Sequence, residues 1–497
     1  MIHIMKTEKE NFIWKKWIAL LLVLTLMLTG CGNTAVTTTM ATEDQALTFG
    51  LEPVFEYSLP EEMPNIYIDM AGYLTESAKI AIFHGEEENM PQTYEIKDRW
   101  TREVVYRGTL QTKSEDSQHM HYGVFSDFKI PGEYYIECEK LGCSEYFSIG
   151  DDVYHETCLM IKDKIRQAKM EQSTEEKAYL VNGWKFDERG NRDTRTACET
   201  LSYLMLGYEI YPDLFHQLWS TDEDAQSNSG IVGEEAFFQE IRYEMDWLLS
   251  MQDGESGGIY AGVRNRSESM EIEATDTTEG LILREISEDA TACFAAVMAK
   301  YGYLYQKIDK NYATTCLKAA SKAWKYLEMQ QSVVDLTAQM FYASAELYRA
   351  SNDSQYHRYI LQHQNEILTA EDAFSLLMGE ITYLSTRRKV DKDLCGKMMD
   401  DLMKRAEKIS TTSRQGHYFI ESAAQDQVLD ALTVMSVVDY VITNYEYYTV
   451  IENHIHYLLG RNSEGVNMVE QMNLLDMAKM LMYISSITAE KKLILND

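Results

Sequence analysis

Proline is scarce in this chain, six residues in 497, and none occurs after Pro212. Everything beyond that point is free of the residue that most strongly breaks a helix, which leaves room for long uninterrupted ones. Histidine is also missing from the far end, with none after His456. Cysteine is sparse and irregular: of eight residues no two stand at C-x-x-C spacing, which argues against a zinc cluster and a disulfide framework. Basic residues are in deficit, 46 Lys and Arg against 79 Asp and Glu. The resulting net charge of −33 weighs against nucleic acid as a partner and suits neutral ligands, cell-wall surroundings and plain solubility. What remains is ordinary globular composition, 45% hydrophobic and 25% charged, in a chain long enough for two or three domains.

The first 31 residues read as a targeting segment. Lys6, Lys9, Lys15 and Lys16 form a basic region, and the apolar run Trp17 to Leu28 is too short to span a bilayer comfortably. It ends in Leu28-Thr-Gly-Cys31, which resembles a bacterial lipoprotein box whose cysteine carries a diacylglycerol after cleavage. On that reading Cys31 is the lipidation site, residues 32–63 are a flexible tether, and the protein is extracytoplasmic, lipid-anchored to the bacterial cell membrane. Among the other cysteines, Cys293 and Cys316 fall on apolar helical faces as small core residues. Cys138 and Cys143 flank a hairpin turn, and both a paired and an unpaired state are open.

Residues 64–150 alternate as strands do. Ile66-Tyr-Ile-Asp69, Ile80-Ala-Ile-Phe83, Val104-Val-Tyr106 and Tyr134-Tyr-Ile-Glu137 are short β-branched or aromatic runs between polar turns, the spacing of a β-sandwich. From about residue 152 the period becomes that of helices. Phe237, Ile241, Met245 and Leu248 form one stripe, and Phe294, Val297, Tyr301 and Leu304 another. About a dozen helices are expected over 152–490, as an all-α domain of antiparallel pairs.

The wording is more specific than the periodicity. Ile66-Tyr-Ile-Asp-Met-Ala-Gly-Tyr-Leu74 with Gly132-Glu-Tyr134 and Phe147-Ser-Ile-Gly150 resembles the immunoglobulin-like domain that precedes many family 9 glycoside hydrolases. Glu240 to Gln252 followed by Gly257-Gly-Ile-Tyr260, Ser287 to Ala296, Ala345 to Ala350 and Tyr457-Leu-Leu-Gly-Arg-Asn462 resemble successive segments of that family's helical domain. The resemblance implies a multidomain chain: an N-terminal immunoglobulin-like β-sandwich followed by an (α/α)6 barrel, with a β-1,4-linked glucan or another β-linked polysaccharide as partner. Neither a cofactor nor a metal ligand is matched in this sequence.

The family inverts the anomeric configuration. That chemistry needs a carboxylic acid to protonate the leaving oxygen and a carboxylate to activate water, ~6.5–9.5 Å apart. In the family the base lies in a Gly-Gly-Trp-x-Asp-Ala-Gly-Asp stretch, and this chain has Asn182-Gly-Trp-Lys-Phe-Asp-Glu-Arg-Gly190 there. Aligned on Trp184, the two aspartates become Phe186 and Arg189; a one-residue slip supplies Asp187 but puts Gly190 at the second position. The family's acid opens its last helix in an Asn-Glu pair, and here the matching pair is Asn473-Leu474. The sequence thus resembles a glycosidase from which the catalytic Asp and Glu are missing. Binding of glucan with little or no hydrolysis is the first expectation. The alternatives are an active endoglucanase-like enzyme with recruited carboxylates, Asp187 as base and Glu421 as acid, and an envelope scaffold that binds no sugar. Trp184 and Tyr418 are the expected sugar-stacking residues. Arg461 and Asn462 are assigned to packing and capping.

Overall fold

The computed structural model describes residues 65–85, 90–115, 118–170, 178–220, 234–265, 280–442 and 444–494. The expected signal segment with Cys31, and the expected tether over 32–63, lie outside them. Residues from Met63 onward form one compact unit.

Eight strands come first: β1 (Ile66–Tyr67), β2 (Ile80–Phe83), β3 (Thr93–Asp98), β4 (Val104–Glu115), β5 (Gln118–Val124), β6 (Gly132–Cys138), β7 (Gly142–Cys143) and β8 (Phe147–Ile149). They pair antiparallel in the order β1-β2-β5-β4-β3-β6-β7, with β8 also on β6. The long β4 joins two layers. Its first half pairs with β3, Thr93 opposite Thr109, and its second half with β5, Leu110 opposite Gly123. The Tyr94 ring fills the fold between them, and a Cβ on Gly108 or Gly123 would come within 2.2 or 2.4 Å of it. Alternation on β6 sends Tyr134, Ile136 and Cys138 into the core with Phe83, Phe125 and Phe147, leaving Glu133, Tyr135 and Glu137 outward. Cys143 stands opposite Glu137 and is exposed, whereas Cys138 is buried. The two thiols leave opposite faces of the hairpin and both are free.

Twelve principal helices follow among the described residues: α1 (His155–Gln167), α2 (Thr194–Ile210), α3 (Glu234–Ser250), α4 (Glu288–Tyr305), α5 (Lys310–Met329), α6 (Thr337–Ser351), α7 (Ser354–Gln362), α8 (Ala373–Ser385), α9 (Lys392–Gln415), α10 (Gln425–Val441), α11 (Tyr445–Leu458) and α12 (Leu474–Ile494). Side-chain caps set many of their starts. Asp193, Ser287, Asp309, Asp353, Asp372, Asp391 and Asn444 each accept a hydrogen bond from a backbone N–H of the first turn. The even-numbered helices are the inner ones. From Ala290 to Gly302, α4 is buried on every side, as a helix apolar all round must be. Helices α2, α4, α6 and α8 pack in succession, and α10 packs on α12, which returns to α2. Odd-numbered helices cover the ring, α5 through one buried stripe and α11 buried on every side from Val450 to Leu458; Cys316 on α5 is buried like Cys293 on α4. This is the expected sandwich-like module followed by an (α/α)6 barrel.

The module sits on the turn after α11. Buried Asp69 accepts from the Ala71 and Gly72 amides at 2.9 and 3.2 Å and from the Tyr154 hydroxyl at 3.2 Å. Its other contact is His456 Nδ1 at 2.7 Å, while His456 Nε2 lies 3.1 Å from the Ala78 carbonyl. Burial raises the Asp69 carboxyl and lowers the imidazole, and their mutual hydrogen bond works against both shifts. The Met70 amide donates to the Leu459 carbonyl at 2.9 Å. Arg461 donates to the Asn453 side chain and the Tyr418 carbonyl, and Asn462 ties Tyr457 to Val466, so both have the packing and capping roles expected of them. Gly460, at φ +129°, lies where a Cβ would come 2.6 Å from the Met70 side chain and 2.9 Å from the Ile68 carbonyl. Gly460→Ala is therefore expected to lower unfolding stability by about 1–3 kcal/mol through backbone strain and a displaced module. Unchanged midpoints in thermal and urea unfolding would contradict this.

Candidate functional site

The inner helices all begin at one end of the barrel, and charged side chains from their first turns converge there. On α2, Arg195, Glu199 and Tyr203 follow at four-residue steps and share one face. Arg195 Nε donates to Glu199 at 2.7 Å, and its two terminal nitrogens reach Asp289 of α4 and Asp372, the cap of α8. Gln339 of α6 donates to the same two aspartates at 3.0 Å each. One guanidinium thus engages three carboxylates from three helices. Burial raises the Glu199 carboxyl, and Arg195 works against that shift.

A second group faces the first from α10 and α12. Lys479 lies 3.7 Å from Asp430, 3.9 Å from Asp476 and 5.5 Å from the Tyr203 ring. Burial raises both aspartates while Lys479 lowers them. Asp476 is held in the first turn of α12 by reciprocal hydrogen bonds with Asn473, each 2.9 Å long. The Asp430 side chain remains 73% exposed, so solvent reaches this part of the mouth. Met329, Val333 and Val334, exposed where α5 passes to α6, add an apolar stretch to the rim.

The residues expected to act here lie on segments leading into inner helices α2 and α10. Asp187 is exposed, and its carboxylate accepts from the Asn191 amide at 2.9 Å and the Asn191 side chain at 2.7 Å, which braces the loop into α2. Glu421 is half-buried on the turn into α10, its carboxyl raised by burial and lowered by Lys408, and its amide donates to His454 at 3.2 Å. Trp184 does not present a face to solvent. It is fully buried, and its amide donates to Glu244 of α3 at 2.6 Å. Tyr418 is turned to the β module, stacked near His84 and edge-on to Tyr457, with its amide 3.2 Å from the Met120 sulfur. Leu474, at the start of α12, is buried.

The mouth residues were missed because each looks unremarkable in sequence. The available signal was position: charges such as Arg195, Glu199 and Lys479 stand on helices otherwise apolar on every side, where an isolated charge must find partners. A cavity of about 720 Å³ opens at the opposite end, among Tyr154, Tyr211, Asp439, Tyr440 and Thr488, away from these carboxylates. No group of three or more metal-ligating side chains occurs among the described residues.

Residues 166–489 match the model of glycosyl hydrolase family 9, and residues 61–142 that of the cellulase N-terminal Ig-like domain. The chain belongs to glycosyl hydrolase family 9. It is 23% identical over 456 residues to Endoglucanase D of Acetivibrio thermocellus, a match covering 80% of this chain and 71% of that one. It is 24% identical over 265 residues to a xyloglucan-specific endo-beta-1,4-glucanase of Bacteroides ovatus, 46% of this chain and 45% of the other. The crystal structure of a metagenome-derived family 9 endoglucanase superposes with a TM-score of 0.74 at 17% identity, over 85% of this chain and 98% of that one. A Bacteroides ovatus family 9 protein gives 0.72 at 16%, over 86% and 99%. At those identities the two structures establish the family 9 fold alone.

Proposed function

We propose that this family 9 protein binds a β-linked glucan or related polysaccharide at the mouth of its barrel with little or no hydrolysis, held at the outer face of a bacterial membrane through Cys31. The observation that carries the reading is what occupies the mouth. Where the family supplies its base the chain has Phe186 and Arg189, and where it supplies its acid the chain has Leu474. Three of the carboxylates that do reach the mouth are engaged by Arg195. General acid–base groups contribute ~10²–10⁴-fold each, so replacing both removes most turnover. Hydroxyl-bearing ligands still meet an open, polar mouth with an apolar rim.

One observation favours hydrolysis as a second reading. Asp430 and Asp476 come from neighbouring inner helices and face a common ammonium, Asp430 exposed and Asp476 part-buried. An inverting site needs two carboxyl groups, one as acid and one as base.

The test is reducing-sugar release from β-glucans, xyloglucan and xylans by protein lacking residues 1–31, with binding isotherms on the same polymers. Binding without turnover is expected, unchanged in Asp187→Ala. Turnover that falls at least ~100-fold in Asp430→Asn or Asp476→Asn would establish the second reading instead. Turnover lost in Asp187→Ala would identify a recruited base in the α2 loop. Folded protein that neither binds nor cleaves would leave a scaffold.

A further inference from the structure

The barrel packs on one layer of the β module, through Asp69, Met70, Ala78, Lys113 and Met120. The outward face of the other layer, on β3 and β6, is free of those contacts. It carries a row of paired charges: Arg107 with Glu95 at 2.9 Å, Lys97 with Glu137 at 2.7 Å, and Arg99 with Glu133 at 2.9 Å. Where β3 ends, this row runs into aromatic rings. The Arg99 guanidinium lies 4.8 Å from the centre of the Trp100 ring and 4.5 Å from that of Tyr146. Tyr146 in turn meets Tyr135 edge-on, at 5.9 Å and 88°.

Trp100 is 73% exposed and Tyr146 53%. Leaving so much ring in water forfeits burial, yet the rings are held in place. Asp98 accepts from the Trp100 and Thr101 amides at 3.0 and 2.7 Å, and the Arg99 amide donates to the Glu133 carbonyl at 2.9 Å. The turn that presents Trp100 is therefore braced from both sides.

We propose that Trp100, Arg99 and Tyr146 form a second polysaccharide-binding surface, on the β module and separate from the barrel mouth, which takes one extended β-linked glucan chain. The chemistry selects the ligand. A pyranose ring has an apolar C–H face that stacks on an aromatic ring and a rim of hydroxyls that hydrogen-bond to a guanidinium and a carboxylate. Trp100 and Tyr146 supply the first, Arg99 and Glu133 the second. Because the charges along the face are mutually paired, a neutral polymer meets no uncompensated field. A protein partner would need a broad contact of roughly 800 Å² per side, and here two rings are bordered by ion pairs. The proposal rests on the polysaccharide reading above and gives this chain two points of attachment to one polymer, which raises avidity without any new contact at the mouth.

The experiment is affinity electrophoresis of the chain lacking residues 1–31 in gels containing xyloglucan or hydroxyethylcellulose, beside a cellulose pull-down. Wild type is compared with Trp100→Ala, Trp100→Ala/Tyr146→Ala and a mouth variant, Asp430→Arg. The platform variants change exposed rings, and thermal unfolding confirms that they fold. About fivefold or greater loss of retention is expected in the double variant, with a ligand-induced change in tryptophan fluorescence that disappears in Trp100→Ala. Retention unchanged in the double variant overturns the proposal and leaves the mouth as the binding site. Loss in the double variant with none in Asp430→Arg supports the platform and overturns the mouth reading. Absence of wild-type retention on every polymer overturns both.

Discussion

Glu346→Ala is expected to cost about 3–5 kcal/mol of unfolding stability, the effect of leaving buried cations without their partner. Glu346 lies on α6 near the end of the barrel opposite the mouth and is fully buried. Its carboxylate accepts from Arg349 at 2.6 Å and from the Thr382 hydroxyl at 2.8 Å, with Lys300 at 3.4 Å. Lys300 and Arg349 also hold Glu209 of α2, each at 2.5 Å. Two cations and two carboxylates from three inner helices thus balance one another, and Thr382 of α8 completes the set. Removing Glu346 leaves two positive groups to share Glu209 in a medium that solvates charge poorly. The same cluster sets an acid limit. Burial pushes the Glu209 carboxyl up, but Arg349 and Lys300 outweigh it and bring it down to about 2. A depressed carboxylate contributes stability above its unfolded pKa of 4.5 and loses it as pH falls towards 2. Urea midpoints for wild type and Glu346→Ala at pH 7 measure the first effect. A difference under about 1 kcal/mol would show that the cations relax to solvent or to other partners.

Glu244→Gln is expected to do the opposite and stabilise the protein in alkali. Glu244 is fully buried beneath the loop into α2, with one carboxyl oxygen on the Trp184 amide and the other without a partner. Burial raises it to about 8, against the lowering effect of the Trp184 amide, Arg192 and Lys169. A carboxyl raised in the folded state adds stability below its unfolded pKa of 4.5 and loses it as pH rises towards 8. Glutamine keeps the acceptor for Trp184 and has no proton to lose. The variant should match wild type near pH 4.5 and exceed it at pH 9 by up to about 5 kcal/mol. Parallel stability curves from pH 4.5 to 9 would show that Glu244 is already ionised in the native protein.

Residues around Trp184 illustrate why part of the site was legible in sequence and part was not. The motif was readable, since Asn182-Gly-Trp184 resembles the family's base segment. Which way the indole points was not. The indole is buried in a core built by residues far along the chain, and the Trp184 amide is held by Glu244, 60 positions away. Nor was the direction of Tyr418 legible. Its backbone is left-handed, φ 58°, and its hydroxyl lies 3.4 Å from His84 of the β module, 334 positions earlier in the chain.

By itself the sequence determined the order of modules, the change from period two to period 3.6 and the family, because each of these depends on local pattern or on residue identity at a motif. Only the tertiary structure decided that Arg195 gathers Glu199, Asp289 and Asp372, that Asp430 and Asp476 share Lys479, and that His456 anchors the β module through Asp69. The physical reason is that charge and hydrogen bonding act through space at a few ångströms. The groups that meet at the barrel mouth lie on five inner helices and the cap of the sixth, brought together by packing rather than by proximity along the chain.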